Sequence, residues 1–420
     1  MYREITRCRM CGNQNLVPFL NLGQQYLTGV FPRHKEDVLT SGPLELVKCH
    51  PGGEHDSCGL VQLHHSYEST EMYGQNYGYR SGLNQSMVAH LQQKVAKIMA
   101  TVPLKVDDLI IDIGANDSTL LQAYPADRGL KLVGIDPTGV KFKQFYPSHI
   151  QLIPDFFSAA KVHEAFNGQH AKIITSIAMF YDLEAPLEFV RQVADTLADD
   201  GLWVFEQSYM PSMLDVNAYD TVCHEHLEYY SLHQVKWLLD RVGLNIIDVE
   251  LNNVNGGSFS VMAAKPTAPY APNAAHVQAI LDAEDRQGLH TLAPYEAFRQ
   301  RVFEHAAELK ALLAQIKAEG KTILGYGAST KGNVILQFCG LTPADIPYMA
   351  EVNKDKFGCF TPGTLIPIIS EADAHAMHPD YFLVMPWHFR DNLVGREQAY
   401  LKRGGKLLFP LPKIEIVTGA

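Results

Sequence analysis

The sequence predicts an α/β chain of three parts: a small metal-stapled N-terminal segment, then two stretches of alternating strands and helices. Three observations carry that reading. Four of the seven cysteines, Cys8, Cys11, Cys49 and Cys58, fall at the start of the 420-residue chain. Short apolar runs then alternate with amphipathic stretches up to about residue 265, the pattern of a parallel, doubly wound sheet. A second alternation of the same kind begins near residue 322. At roughly 150 residues per domain, a chain of this length is expected to hold two or three domains. The boundaries are drawn at 1–70, 71–265 and 266–420.

Composition narrows the function. Hydrophobic residues at 46% and charged residues at 19% make a globular chain. Lys+Arg 35 against Asp+Glu 46 gives a net charge of -11, which argues against broad nucleic-acid binding. A small anionic ligand held by backbone donors is still compatible with that charge. No apolar run approaches the ~20 residues that span a bilayer, and MYREITRCRM lacks a signal-peptide core. The expectation is a cytoplasmic protein without a membrane partner. An odd number of cysteines in a chain this long does not suit a secreted disulfide framework.

In chain order, CRMCG places Cys8 and Cys11 at the spacing of a zinc knuckle. Cys49 and Cys58 form a looser second pair, and His50 and His55 between them are alternative ligands. Four protein ligands leave no open position, so the site reads as structural. A zinc ion would let a segment of this size fold without a large core. Residues 86–100 have the apolar spacing of a helix. Runs 108–113, 131–135, 172–177 and 201–206 read as buried strands, and 245–250 and 258–264 as a hairpin closing the sheet around an Asn/Gly-rich turn. Residues 265–295 read as a linker rich in Ala, Pro and His, and 295–320 as a long helix. Then come a strand at 322–326, a turn bracketed by Gly327 and Gly332, a helix from 334, and strands at 381–385 and 406–409.

Several motifs carry chemistry. LIIDIGANDSTLL is a strand, a Gly-containing loop and a helix start, a geometry that favours close approach to an anionic or nucleoside ligand. Asp112 ends that strand and Asp136 ends the next, where an acid can accept from a ribose diol. The loop lacks G-x-G-x-x-G, which counts against a nicotinamide cofactor. The segment YDTVCHEHLEYYSL supplies His224, Glu225, His226 and Glu228 after the fourth strand. It is not H-E-x-x-H, so a zinc-protease reading is rejected. What remains is a group of proton carriers at the carboxyl end of a sheet. Upstream, NYGYRSG presents Tyr77, Tyr79 and Ser81, which either cover a cofactor or belong to a core. GYGASTKGN places Ser329, Lys331 and Asn333 at a helix start that suits a diphosphate, without the pattern of an NTPase loop. Arg390, in MPWHFRDN, either reaches an anion or is solvated at the surface.

In this order the pieces resemble the zinc-containing sugar C-methyltransferases that act on nucleotide-linked keto-deoxysugars. The resemblance covers essentially the whole chain: the four-cysteine knuckle, DIGANDSTLL, IDPTG, CHEHLEYYSL, and GYGASTKGN with PGTLIPI. It implies a central class I (Rossmann-like) methyltransferase domain that binds S-adenosylmethionine. It also implies a C-terminal α/β Rossmann-like domain that helps hold a nucleotide-diphosphate sugar. By position, Asp112, Gly114 and Asn116 line the cofactor loop, with Ser81 near them, and Asp136 takes the ribose. His226 matches the general base with Glu225 and His224 beside it, and Tyr77 and Tyr79 match tyrosines of the family's pre-domain segment. The implied reaction removes a proton α to a ketone and transfers a methyl group to the enolate carbon. The chain departs from the family at Ser118, where a glycine is usual, and at Cys223, where some members have tyrosine. It departs again at Tyr181, where several carry an active-site histidine. The expected assembly is a monomer or homodimer. Two other readings are a nicotinamide-dependent nucleotide-sugar oxidoreductase and a zinc-stabilised binding module without catalysis.

Overall fold

The computed structural model describes residues 2–52, 56–68 and 80–419. The N-terminal part is built from five strands, β1 (Tyr2–Glu4), β2 (Leu16–Tyr26), β3 (Ser41–Cys49), β4 (Val61–Leu63) and β5 (His65–Tyr67). β2, β3 and β4 pair antiparallel in that order, and β1 pairs with β5. Leu44 and Leu46 of β3 are fully buried in a core shared with the C-terminal part.

The central sheet uses β6 (Leu109–Ile113), β7 (Lys131–Ile135), β8 (Ile150–Ile153), β9 (Ala171–Ile177) and β10 (Leu197–Ser208). Its spatial order is β8-β7-β6-β9-β10, all parallel. Every residue of β6 is buried, as expected for a strand covered on both faces. The chain then contributes β11 (Glu228–Tyr229), β12 (Asn245–Asn252) and β13 (Ser258–Ala264). β13 lies antiparallel between β10 and β12, so the expected hairpin closes the sheet. β11 leaves the central sheet altogether and becomes the edge of the N-terminal one, in the order β11-β4-β3-β2.

The helix Gln85–Thr101 is started by Asn84, whose side chain accepts from the Ser86 N–H. Its Met87, Leu91, Val95 and Ile98 pack on one face of the sheet with Ile110, Leu202 and Val204. The other face carries Trp203, Phe205, the helix Leu232–Val242 and the knuckle cysteines. The stretch expected to be a linker instead contains the helix Ala274–Arg286, whose Val277, Ile280 and Leu281 pack into that same face. Its buried Glu284 accepts from Leu232 N (2.6 Å), His233 N (3.0 Å) and the Tyr209 hydroxyl (2.7 Å). An acidic group there satisfies the free N–H groups at the start of helix Leu232–Val242. Residues just beyond the expected boundary at 266 therefore pack with the central part.

The C-terminal sheet consists of β14 (Ile323–Tyr326), β15 (Met349–Glu351), β16 (Ile368–Ser370), β17 (Tyr381–Val384), β18 (Lys406–Phe409) and β19 (Glu415–Thr418). Its order is β16-β15-β14-β17-β18-β19, parallel except for the last strand. The order reverses at β14, and the loop that leaves β14 starts the helix Thr330–Phe338. That helix begins ahead of the expected residue 334 because the Ser329 hydroxyl caps it, accepting from Gly332 N at 3.0 Å. Among the described residues no helix is long and apolar enough to cross a membrane.

Candidate active site

The ligand sulfurs of Cys8, Cys11, Cys49 and Cys58 all lie within 4.8 Å of one another. Cys8–Cys58 and Cys11–Cys49 are each 3.5 Å apart. Four sulfurs about 2.3 Å from one ion would stand roughly 3.8 Å apart, so the donor set fits a tetrahedral zinc. The knuckle turn is closed by Gly12 N to Cys8 O (2.9 Å), with Gly12 at φ +79°. Asn13 donates to Cys49 Sγ at 3.4 Å. His50 takes no part; its ring faces the Pro51 carbonyl. His55 lies outside the described residues.

At the carboxyl end of β6 the backbone turns left-handed at Gly114, Asn116 and Ser118 (φ +76°, +50°, +63°). A side chain on Gly114 would come 3.0 Å from Met179 Cγ. Asp136 holds this loop, accepting from Asn116 N (2.7 Å) with one oxygen and from Thr138 N and Oγ1 (both 2.6 Å) with the other. Asp112 is buried and accepts from Thr175 Oγ1. Burial, reinforced by the Asp136 charge, pushes its carboxyl up to about 7. Ser81 reaches the same loop through its N–H to Asn116 Oδ1 (3.1 Å), and Arg80 and Gly82 bind Asp117. The family's usual glycine at Ser118 is explained by its left-handed backbone; serine is held there by Gln122 Nε2 at 2.9 Å.

His226 stands against Tyr181, their ring centroids 4.3 Å apart. Its Nδ1 meets the Thr221 carbonyl at 2.9 Å. A carbonyl only accepts, so Nδ1 carries the proton and Nε2 presents a lone pair. Burial, and then the positive charge of Lys331, lower His226 to about 3. Lys331 comes from the C-terminal part and donates to Asn255 O at 2.8 Å. Burial depresses it, and Asp220 opposes that shift. Asp220 is fully buried and accepts from Trp387 Nε1 at 2.8 Å. His388, next to Trp387, is lowered to about 3 by burial and by Lys331. Glu225 is reached by Thr28 Oγ1 at 3.4 Å, and burial raises its carboxyl. Asn333 donates to the Thr28 carbonyl at 2.7 Å. The surroundings of His226 therefore draw on all three parts of the chain.

The loop at Gly114 and the His226 ring are linked through the turn after β9. Met179 lies against Gly114, and Tyr181 lies against His226 and accepts from Leu227 N at 2.8 Å. Gly114, Asn116, Asp136 and Ser81 are thus brought together, as are His226, Glu225, Tyr181 and Lys331.

Other expected residues are placed differently. His224 is fully buried, edge-on to Tyr67 with Nε2 3.4 Å from Gly42 O, so it packs into the N-terminal sheet and away from the His226 ring's partners. Arg390 forms a two-pronged pair with Glu415 (2.8 and 2.6 Å) and is not an anion site. Ser329 spends its hydroxyl as the helix cap, and Asn333 ties the C-terminal helix to the N-terminal part. Tyr77 and Tyr79 lie outside the described residues. Thr28, Asp220, Asn255 and Met179 were not expected; Asp220 lies in the YDTVCHEHLEYYSL segment and Asn255 in the Asn/Gly-rich turn without being singled out there, and only the tertiary fold brings them near His226.

Against known proteins, the chain is 30% identical to C-methyltransferase NovU of Streptomyces niveus over 99% of its own length and 98% of that protein. The chain belongs to the C-methyltransferase family. Three family descriptions match in order: "Putative zinc binding domain" at residues 8–73, "Methyltransferase domain" at 87–249 and "C-methyltransferase C-terminal domain" at 253–412. Among solved structures, a chain from a complex of the Haloferax volcanii Trm112 methyltransferase activator with a methyltransferase is similar at 12% identity and TM-score 0.36. It covers 44% of this chain and 94% of that one. Magnesium protoporphyrin IX methyltransferase of Synechocystis PCC 6803 is similar at 12% identity and TM-score 0.33, over 43% of this chain and 84% of that one.

Proposed function

We propose that this enzyme methylates the carbon α to the ketone of a nucleoside-diphosphate-linked keto-deoxysugar, as a cytoplasmic monomer or homodimer. The observation that carries the reading is the β9 turn, which sets Met179 on the glycine of the cofactor loop and Tyr181 on the His226 ring. A methyl donor and a base must face the same carbon from neighbouring positions, and this turn joins the two. Bound S-adenosylmethionine supplies an electrophilic methyl group at that point. Gly114, Asn116, Ser81 and Asp136 form its cradle. His226 takes the α-proton on Nε2 while the Thr221 carbonyl holds Nδ1–H, which fixes ring and tautomer. Lys331 lends positive charge to the surroundings of His226, suited to an oxyanion or a diphosphate oxygen. The domains at 1–70, 71–265 and 266–420, with the helix Ala274–Arg286 packed on the central one, then divide the labour: zinc support, methyl donor and nucleotide sugar.

The test is calorimetric titration with S-adenosylhomocysteine, with zinc quantified on the same sample, followed by α-proton exchange of nucleoside-diphosphate keto-deoxyhexoses in deuterium oxide. Binding with about one zinc per chain and exchange of one sugar proton support the reading. Binding without exchange on any keto-sugar nucleotide overturns the substrate class.

A further inference from the structure

Inside the zinc knuckle lies a residue that is neither a metal ligand nor in contact with His226. Arg9 stands between Cys8 and Cys11, and its side chain is only 2% exposed. A buried guanidinium must place its donors, and this one does so on the strands next to the knuckle. Nη1 donates to the Leu63 carbonyl (2.5 Å), and Nη2 to the His65 carbonyl (3.1 Å) and Ser66 Oγ (2.9 Å). The Arg9 N–H binds Gln62 Oε1 at 3.0 Å, and Nε points to Glu184 Oε2 at 3.5 Å. Arg9 thus clasps β4 and β5 from the knuckle.

Both segments of the candidate base rest on what Arg9 clasps. β11 pairs with β4, Glu228 opposite Gln62 and Tyr229 opposite Val61, and Leu63 N donates to Leu227 O at 2.9 Å. His226 immediately precedes this pairing. Glu184, which ends the turn carrying Tyr181, accepts from Ser66 Oγ at 2.9 Å as well as facing Arg9. Leu227 N to Tyr181 O joins the two segments. A one-residue slip of β11 on β4 would turn its side chains to the opposite face and carry His226 with it. Movement of β4, or of the turn ending at Glu184, would strain the donors of Arg9, whose side chain is almost wholly withdrawn from solvent.

We infer that Arg9 is a positioning residue for the reaction: from within the zinc knuckle it fixes the register of β11 and the 181–184 turn, and so the placement of His226 against Tyr181. The proposal rests on the reading of His226 as the base. Lysine lacks the planar fork needed to serve both strands and Glu184, so the conservative change is not expected to rescue.

The experiment compares the full-length enzyme with Arg9→Lys, Arg9→Gln and Glu184→Gln. Five quantities are measured: zinc content, S-adenosylhomocysteine affinity, the kcat and KM of sugar α-proton exchange, and amide hydrogen exchange of residues 223–231. Expected for the Arg9 variants are full zinc, affinity within about twofold, kcat down by about tenfold or more with KM little changed, and faster amide exchange in that segment. Glu184→Gln moves kcat and amide exchange the same way, by less. Arg9→Lys with full zinc, unaltered kcat and unaltered amide exchange overturns the proposal. If the Arg9 variants lose zinc or fail to fold, Glu184→Gln and Ser66→Ala decide, and unchanged kcat and amide exchange in both overturn it. If the wild-type enzyme exchanges no sugar proton, the reading of the base fails, while amide exchange still reports whether Arg9 holds the segment.

Discussion

Replacing His226 by Asn removes the lone pair at Nε2 while keeping an amide that can still donate to the Thr221 carbonyl. A positioned base contributes about 10²–10⁴ in rate, so α-proton exchange is expected to fall by that factor, about 2.7–5.4 kcal/mol of barrier. Binding of S-adenosylhomocysteine is expected to be unchanged. The pH profile gives a sharper magnitude. With burial and Lys331 lowering His226 to about 3, the imidazole of the free enzyme stays unprotonated at pH 7 and at pH 5. The acid side of kcat/KM is then flat over that range. A histidine at its ordinary ~6.5 would lose about 25-fold between the same two pH values. Removing the cation by Lys331→Met is expected to raise the pKa of His226 and steepen the acid limb. The assay is mass-spectrometric deuterium incorporation into a nucleoside-diphosphate keto-deoxyhexose with S-adenosylhomocysteine bound, from pH 5 to 8. Exchange by His226→Asn within a few-fold of wild type would refute the base. A wild-type acid limb near 6.5 would refute the electrostatic argument and leave the geometry standing.

Other outcomes follow from the same contacts. His224 is lowered to about 4 by burial. Below pH 6.5 the unfolded chain takes a proton there that the folded chain refuses until about 4, so stability falls with pH across that window. Relative to His224→Phe, the wild type should lose about 1.4 kcal/mol per pH unit between 6.5 and 4 in denaturant melts, and parallel profiles would contradict this. Glu284→Ala strips three donors, Leu232 N, His233 N and the Tyr209 hydroxyl, of their buried acceptor. It should cost about 3–4 kcal/mol in chemical denaturation, and a loss under about 1 kcal/mol would mean that water replaces the carboxyl group. A Cβ at Gly29 would sit 2.9 Å from Glu225 Oε1, so Gly29→Val should lower kcat by about tenfold or more with zinc and S-adenosylhomocysteine binding intact, and unchanged turnover would free Glu225 of any part in the reaction.

The sequence made four parallel strands of the central sheet legible because each contains a continuous apolar run, as in LIIDI and KLVGI, whereas the partly exposed edge strand Ile150–Ile153 (IQLI) was missed. The short strands Met349–Glu351 and Ile368–Ser370 carry too few residues to show a period, and they were missed. The Ala- and Pro-containing stretch near residue 275 read as linker because one buried face of Val277, Ile280 and Leu281 is diluted by small and charged neighbours. Motif-bearing residues were found where a motif occupies one stretch of chain, as at the knuckle and the cofactor loop. His224 and Arg390 were misplaced because composition cannot tell which neighbour a side chain will face. His226 and His224 are two residues apart on the same segment, yet one lies against Tyr181 and the other against Tyr67.

The division of the candidate site among three parts of the chain has a physical rationale in the contacts that lock those parts together. The N-terminal strand β2 exchanges two bonds with one C-terminal side chain: Tyr26 N to Gln337 Oε1 at 2.7 Å and Gln337 Nε2 to Tyr26 O at 3.2 Å. Phe360 N binds Pro32 O at 2.8 Å, and Asn333 binds Thr28 O. Lys331 reaches across to Asn255 in the turn between β12 and β13. A proton abstraction followed by methyl transfer needs the base, the cation and the donor loop fixed to within a fraction of an ångström, although they belong to different sheets. One hydrophobic core runs from β2 and β3 through residues 210–229 to the C-terminal sheet, and the segment with the candidate base lies inside it. Separating the N-terminal part from the rest would therefore expose core and move the base in one step. Zinc removal should accordingly disturb turnover before it disturbs S-adenosylhomocysteine binding, because the cofactor loop hangs from β6 and β7 while His226 hangs from β4.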